Sequence, residues 1–184
     1  MERVPLRHLA EGLRCMVCGP ENPQGLGVQF EIAGDHVEAR WRVPTQVEGW
    51  PGLAHGGVFG ALHDEAAAWA MIALACTTGV TTSMEVRFLK PLRLGEEVVV
   101  RGRPEQVGAR SGTFATEILL ARGEAASTAR TTYAFLDEAA LTRFTSAPLS
   151  PRLRAWLRAS PAERRAMVEA LGRGEVDPFA VEHA

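Results

Sequence analysis

Lysine is almost missing from this chain: Lys90 stands alone beside 19 arginines. Basic residues do not exceed acidic ones either, at 20 against 22, for a net charge of −2. The clustered basic excess of a phosphate-backbone binder is therefore lacking, and no nucleic-acid partner is expected. Cysteine is scarce as well. Three in 184 residues cannot staple a fold with disulfides, which points to a reducing cytoplasm. The stretch Met1 to His8 has no apolar segment of the kind a secretory signal carries. The longest apolar run, Ala66 to Cys76, is eleven residues. A bilayer needs roughly 20, so no membrane span is expected. There is no phosphate-binding P-loop and no GxGxxG ahead of a helix, and no cofactor is expected.

What the chain does have is enough apolar residue for one core: 46% apolar and 23% charged. A domain near this length buries roughly 70% of its unfolded surface. Residues 1–25 read as irregular, with turn signals at Gly19-Pro20 and Asn22-Pro23. Alternation then predicts a hairpin, with Leu26, Val28, Phe30 and Ile32 on one arm and Val37, Ala39, Trp41 and Val43 on the other. Residues 44–54 read as a loop. From Gly56 to Cys76 the pattern is Ala-rich and free of proline, which predicts one long helix. Four β-like runs follow: one after Gly79, with Met84, Val86 and Phe88 facing one way and Pro91 ending it, then 97–103, 113–122 and 125–136. The order β-β, helix, then four strands predicts an α+β layer pair, an antiparallel sheet against one central helix. The tail differs. Ser160-Pro161-Ala162-Glu163 is a capping box opening a helix that ends near Gly172, after a shorter helix over Ser150–Ala159. Residues 1–147 are read as one domain and 148–184 as a helical appendage docking on it or on a partner chain.

On a helical wheel Val58, Leu62, Trp69, Ile72 and Cys76 share a sector expected to meet the sheet. Asp64 falls away from that sector, among Gly60, Ala61, Ala67, Ala68 and Ala75, where small neighbours leave room for a ligand or a second helix. Glu65 falls inside the apolar sector. An unpaired ionised carboxylate buried there costs several kcal/mol, so it must be paired, protonated or near the rim. His63 is placed on a third face. His55-Gly56-Gly57 marks the helix start, where free backbone N–H groups and the positive dipole end can receive a substrate oxygen. His55 and Asp64, nine residues apart, project from opposite sides. If both serve one substrate, a second protomer supplies one of them, which predicts at least a dimer.

These residues carry a resemblance. His55-Gly56-Gly57, six residues, then Asp64-Glu65-Ala66 resembles the HGG-x6-DEA signature of PaaI-like hotdog-fold acyl-CoA thioesterases. Cys15-Met16-Val17-Cys18-Gly19, followed by Asn22-Pro23 and Gly25-Leu26, is similar to the CxxCGxxNPxGL segment of a subgroup of that branch. Phe88-Leu89-Lys90-Pro91 with Gly95-Glu96 resembles its strand-end motif. The resemblance spans residues 15–136. It implies the hotdog fold, a sheet wrapped around one long helix, and hydrolysis of an acyl-CoA to free acid and CoA by a homodimer or homotetramer. Asp64 is implied as general base or nucleophile, with Gly56 and Gly57 amides of the other protomer as oxyanion hole. His55 shapes that loop, and Thr81 places water, with Thr82 beside it. Glu65, next to Asp64, is a candidate to assist it.

Several members carry Asn six residues before the His. Here Gly49 stands there, in Glu48-Gly49-Trp50. Trp50 and Phe59 are candidates for lining an acyl slot, and Arg87, Lys90 and Arg110 for meeting CoA phosphates. The departure at Gly49 leaves an alternative open: a hotdog protein that binds acyl-CoA, or regulates through it, without cleaving it. Cys15 and Cys18 are only half of a four-ligand metal site. With His8 and His36 the only other contributors considered, no metal is expected, and the segment is read as packing over the acyl-binding end.

Overall fold

Low side-chain bulk sets how the central helix sits. In the computed structural model, which describes residues 3–10, 12–145, 148–149 and 151–172, α1 runs Gly56–Ala73. Its buried residues include Phe59, Leu62, His63, Ala66, Ala67, Ala70 and Ala73. The small alanines let the helix approach the sheet closely: a Cβ on Gly102 would lie 2.4 Å from the Ala66 carbonyl oxygen. The wheel sector is corrected accordingly. Leu62 and Trp69 are buried, but Val58 and Ile72 are only half-buried. Cys76 lies past the helix end at φ 52, in the left-handed region where the chain turns away.

Seven antiparallel strands form the sheet, in the order β1-β2-β3-β7-β8-β9-β6. They are β1 Arg3–Pro5, β2 Glu31–Ala33, β3 His36–Arg42, β6 Gly79–Phe88, β7 Glu97–Val107, β8 Ser111–Leu120 and β9 Ala125–Phe135. Helix α1 packs across β3, β7, β8, β9 and β6, giving the layer pair that the element order predicts. Three sequence expectations change. The expected irregular start contains β1 and a 3-10 turn over Arg7–Ala10. The first arm of the predicted hairpin is ladder-paired only from Glu31, although Val28 and Phe30 are buried. The expected loop over 44–54 holds a small hairpin, β4 Glu48–Trp50 with β5 Leu53–Ala54.

The face of the sheet away from α1 is charged. Arg87, Arg101, Arg103 and Arg130 stand there among Glu85, Glu105 and Glu117 around an open hollow of about 610 Å³. At its margin Glu38 is only 1% exposed, and is met by Arg101 at 2.7 Å and Arg3 at 3.1 Å.

Three short helices follow the sheet: α2 Glu138–Phe144, which the sequence reading missed, α3 Pro151–Arg158 and α4 Pro161–Gly172. The capping box forms, with Ser160 N–H donating to Glu163 Oε2 at 2.7 Å and Glu163 N–H to Ser160 Oγ at 3.3 Å. The tail docks on its own chain. Trp156 and Val168 join the core, and Arg164 Nη1 donates to the Cys76 carbonyl at 2.9 Å. Ser150 and residues 173–184 lie outside the described residues. No described helix is long and apolar enough to cross a membrane.

Candidate functional site

Asp64 stands half-buried on α1, two helical turns past Gly56. Two hydroxyls converge on its Oδ1: Thr81 Oγ1 donates at 2.6 Å, and the Tyr133 hydroxyl lies at 2.9 Å. The same Tyr133 hydroxyl is 2.8 Å from the Asp64 backbone oxygen, so its single proton serves whichever acceptor is nearer at the time. Thr81 and Tyr133 are direct cross-strand partners on β6 and β9. A bulge makes this possible. The register skips Thr82, pairing Thr81 with Tyr133 but Ser83 with Thr132. Unbroken alternation would put Thr81 with Glu85 and Arg87 on the outer face. The extra residue returns it to the helix-facing side. Thr82 itself donates to the Thr132 carbonyl at 3.0 Å and does not reach Asp64.

Tyr133 was not among the candidates, though it is the chain's single tyrosine. Burial pushes its hydroxyl pKa up, so it stays a proton donor to Asp64. Tyr133→Phe leaves the Thr81 contact in place. The expected result is a loss of about 10-fold in kcat with KM within about twofold, the split that marks a positioning residue. An equal fall in folding stability and kcat, with Thr81→Ala doing nothing, would refute the positioning role.

At the helix start His55 is the N-cap. Its Nδ1 accepts from Gly57 N–H at 3.0 Å. That bond occupies one of the two amides expected to polarise a carbonyl. Gly56 N–H has no acceptor among the described residues. His55, Gly56 and Gly57 are all exposed. Beside them a cleft of about 270 Å³ is lined by Met16, Leu26, Gln46, Val47, Glu48, Val58 and Ala61 with His55 and Gly57. Met16 belongs to the Cys15–Cys18 segment, so that segment does border the helix start. Gly49 is close-packed: a Cβ there would lie 2.8 Å from His55 Cα. No asparagine side chain fits without moving the helix entry.

Other candidates fall elsewhere. Trp50 is 79% exposed at the β4–β5 turn. Phe59 is buried, with Phe88 edge-on at 5.2 Å, which makes it a core residue in the single chain. Arg87 lies on the outer sheet face and donates to Glu85. Lys90 pairs with Glu124 at 2.6 Å, and Arg110 sits in the β7–β8 turn. The structure does not bring these three cations to Asp64.

His63 corrects a second expectation. It is on the sheet-facing stripe, fully buried, with Nδ1 2.7 Å from Thr116 Oγ1 and Nε2 2.7 Å from Ser127 Oγ. Thr116 is placed to donate to the Ala129 carbonyl at 3.4 Å, so Nδ1–H donates to Thr116 and Nε2 accepts from Ser127. Burial holds its pKa down at about 4, so the ring is neutral. Glu65 is half-buried and paired: its Oε2 is 3.2 Å from Cys15 Sγ. Burial pushes its carboxyl up to about 7.

Residues 51–127 match the model of the thioesterase superfamily. No protein of curated function matches the chain in sequence. Among solved structures, a thioesterase superfamily protein is 27% identical, with a TM-score of 0.62 over 73% of this chain and 67% of its own. The E. coli PaaI protein from the phenylacetic acid degradation operon is 22% identical, with a TM-score of 0.55 over 59% of this chain and 83% of its own. A Streptococcus mutans protein solved bound to acetyl CoA is 20% identical, with a TM-score of 0.52 over 58% and 88%. The last two are similar in fold, and the sheet and helix described above are that hotdog fold.

Proposed function

From a chain whose residues 51–127 match the model of the thioesterase superfamily, we propose hydrolysis of an acyl-CoA thioester to free acid and CoA. The observation that carries this reading is the Asp64 carboxylate. It is half-buried, oriented by Thr81 and Tyr133, and set on a helix face of small residues. Asp64 takes the proton of an attacking water, or attacks the carbonyl itself to form an acyl anhydride that a water then hydrolyses to the free acid. The oxyanion is met by a helix-start amide, and collapse of the tetrahedral intermediate expels the CoA thiolate. A CoA thioester as substrate is supported by the acetyl CoA bound to the Streptococcus mutans relative. The apolar cleft beside His55 is the slot for the acyl group.

The amide and the acid belong to different protomers in this proposal. Eight residues of helix separate Gly56 from Asp64, about 12 Å along the axis at 1.5 Å per residue, too far for one carbonyl to touch both. Strand β6 is the end strand of the sheet and largely exposed, with one ladder side unpaired. A second copy adding there by two-fold symmetry runs its α1 antiparallel to the first and brings its Gly56 toward Asp64.

Thiol release over a panel of acyl-CoAs tests hydrolysis. Tight acyl-CoA binding with no thiol released would favour the non-catalytic alternative instead. A mixing experiment tests the shared site. Gly56→Pro removes the amide proton, and proline suits the first helical position after His55 at ψ 138. Gly56→Pro and Asp64→Asn, each inactive alone, should recover about one quarter of wild-type activity when their subunits are exchanged, because half the dimers then hold one intact site. No recovery despite proven heterodimers would place amide and acid in one chain.

A further inference from the structure

The Cys15–Cys18 segment does more than border the cleft. Its two thiols and the Glu65 carboxylate, fifty residues away on α1, come together with all three ligand atoms within 4.8 Å of one another. We propose that Cys15, Cys18 and Glu65 bind a zinc ion, leaving one tetrahedral position open, and that this ion pins the N-terminal segment to α1 beside Asp64.

Four observations carry the proposal. The spacing fits: zinc–sulfur bonds near 2.3 Å and zinc–oxygen bonds near 2.1 Å put tetrahedral ligand atoms about 3.5–3.8 Å apart, and Cys15 Sγ and Glu65 Oε2 are already 3.2 Å apart. The loop is shaped for a thiolate. Val17 N–H points at Cys15 Sγ at 3.3 Å, and Gly19 N–H closes the turn on the Cys15 carbonyl at 3.1 Å. Only glycine fits at the end of that turn, since a Cβ on Gly19 would lie 2.4 Å from Cys15 N. The third observation is charge. No arginine or lysine among the described residues pairs with Glu65, while Cys18 is buried and Cys15 and Glu65 are half-buried. Three potential anions in one partly dehydrated cluster need a cation or protons. The fourth is that both thiols are free, so no disulfide competes for the sulfurs.

Sequence reasoning missed the third ligand because Glu65 meets the thiols only through the fold. Among the two histidines considered as ligands, His36 bonds Asp35 and faces Glu38 on β3, and the side chain of His8 lies outside the described residues.

The test uses the full chain, purified under reducing conditions without chelator. The expected result is about one zinc per chain by elemental analysis. Cobalt loaded in its place should show a thiolate charge-transfer band in the near ultraviolet and tetrahedral d–d absorption in the visible. Cys15→Ser and Cys18→Ser should each weaken zinc by at least about 100-fold, the upper end of what losing even an outer-shell partner costs. Glu65→Gln should weaken it too, which separates a three-ligand site from a bare thiol pair. Cys76→Ser should leave it unchanged. Reduced wild type that takes up neither metal, or zinc retained undiminished by Cys15→Ser, overturns the proposal. If a serine variant fails to fold, the cobalt spectrum of the wild type decides alone: thiolate bands support the site, and their absence refutes it. Metal content is read without any assay of hydrolysis, so a protein that binds zinc and cleaves nothing refutes only the hydrolytic reading.

Discussion

Asp64→Asn is expected to lower kcat/KM for thioester cleavage by about 10²- to 10⁴-fold, the range for losing a positioned general base. The substitution is conservative for structure. Asparagine keeps an oxygen at Oδ1 that accepts from Thr81 and Tyr133, so the side chain stays where the two hydroxyls hold it. What it loses is the basic oxygen that takes a proton, or the nucleophile that attacks. Unfolding midpoint and acyl-CoA affinity should therefore change little while thiol release falls. Turnover within a few-fold of wild type, with the fold intact, would remove Asp64 from the chemistry. Tyr133→Phe should reach only part of this loss, because it leaves the carboxylate and the Thr81 contact in place.

The second large effect is a dependence of stability on pH, set by His63. In the unfolded chain a histidine titrates near 6.5. In the folded chain burial holds His63 at about 4. Below about pH 6.5 the unfolded state takes up a proton that the folded state refuses. Stability from this residue is therefore intact above that pH, falls as pH drops toward 4, and levels off below. Between pH 7.5 and 5 the loss comes to about 2 kcal/mol. In the metal-free chain Glu65 works in the opposite direction over part of the window: its raised pKa, about 7, favours the folded state at low pH and loses that advantage as pH rises. The contribution of His63 is isolated by comparing urea midpoints of wild type and His63→Gln at both pH values. The difference between the two proteins should shift by about 2 kcal/mol in favour of the variant at pH 5. A constant difference would mean that the ring is not held neutral between Thr116 and Ser127.

The element order, the long helix after His55 and the Ser160 capping box were legible from the residues alone, because each is encoded within a few positions. A period of two or of 3.6 shows itself over one turn or one strand, and a cap needs four residues. The spacing from His55-Gly56-Gly57 to Asp64 is local in the same sense: it separated the acid from the helix start, and the resemblance that it carries implied Asp64 as the acid.

Of what surrounds that acid, the resemblance implied Thr81, and nothing local pointed to Tyr133. Tyr133 meets Asp64 across 69 residues of chain, and Thr81 reaches it only because the bulge at Thr82 reverses the side-chain parity of β6. His63 was misplaced for a related reason. The wheel followed the bulky apolar residues, whereas the helix seats on the sheet through its alanines, at Ala66 over Gly102, and so carries a polar ring into the core. Sequence by itself determined the order of the long helix and the main strands, and its resemblance singled out Asp64 as the candidate acid. Only the tertiary structure decided what that carboxylate and its neighbour Glu65 touch, because hydrogen bonds between distant segments depend on sheet register and on how closely helix and sheet approach, and neither is written in local periodicity.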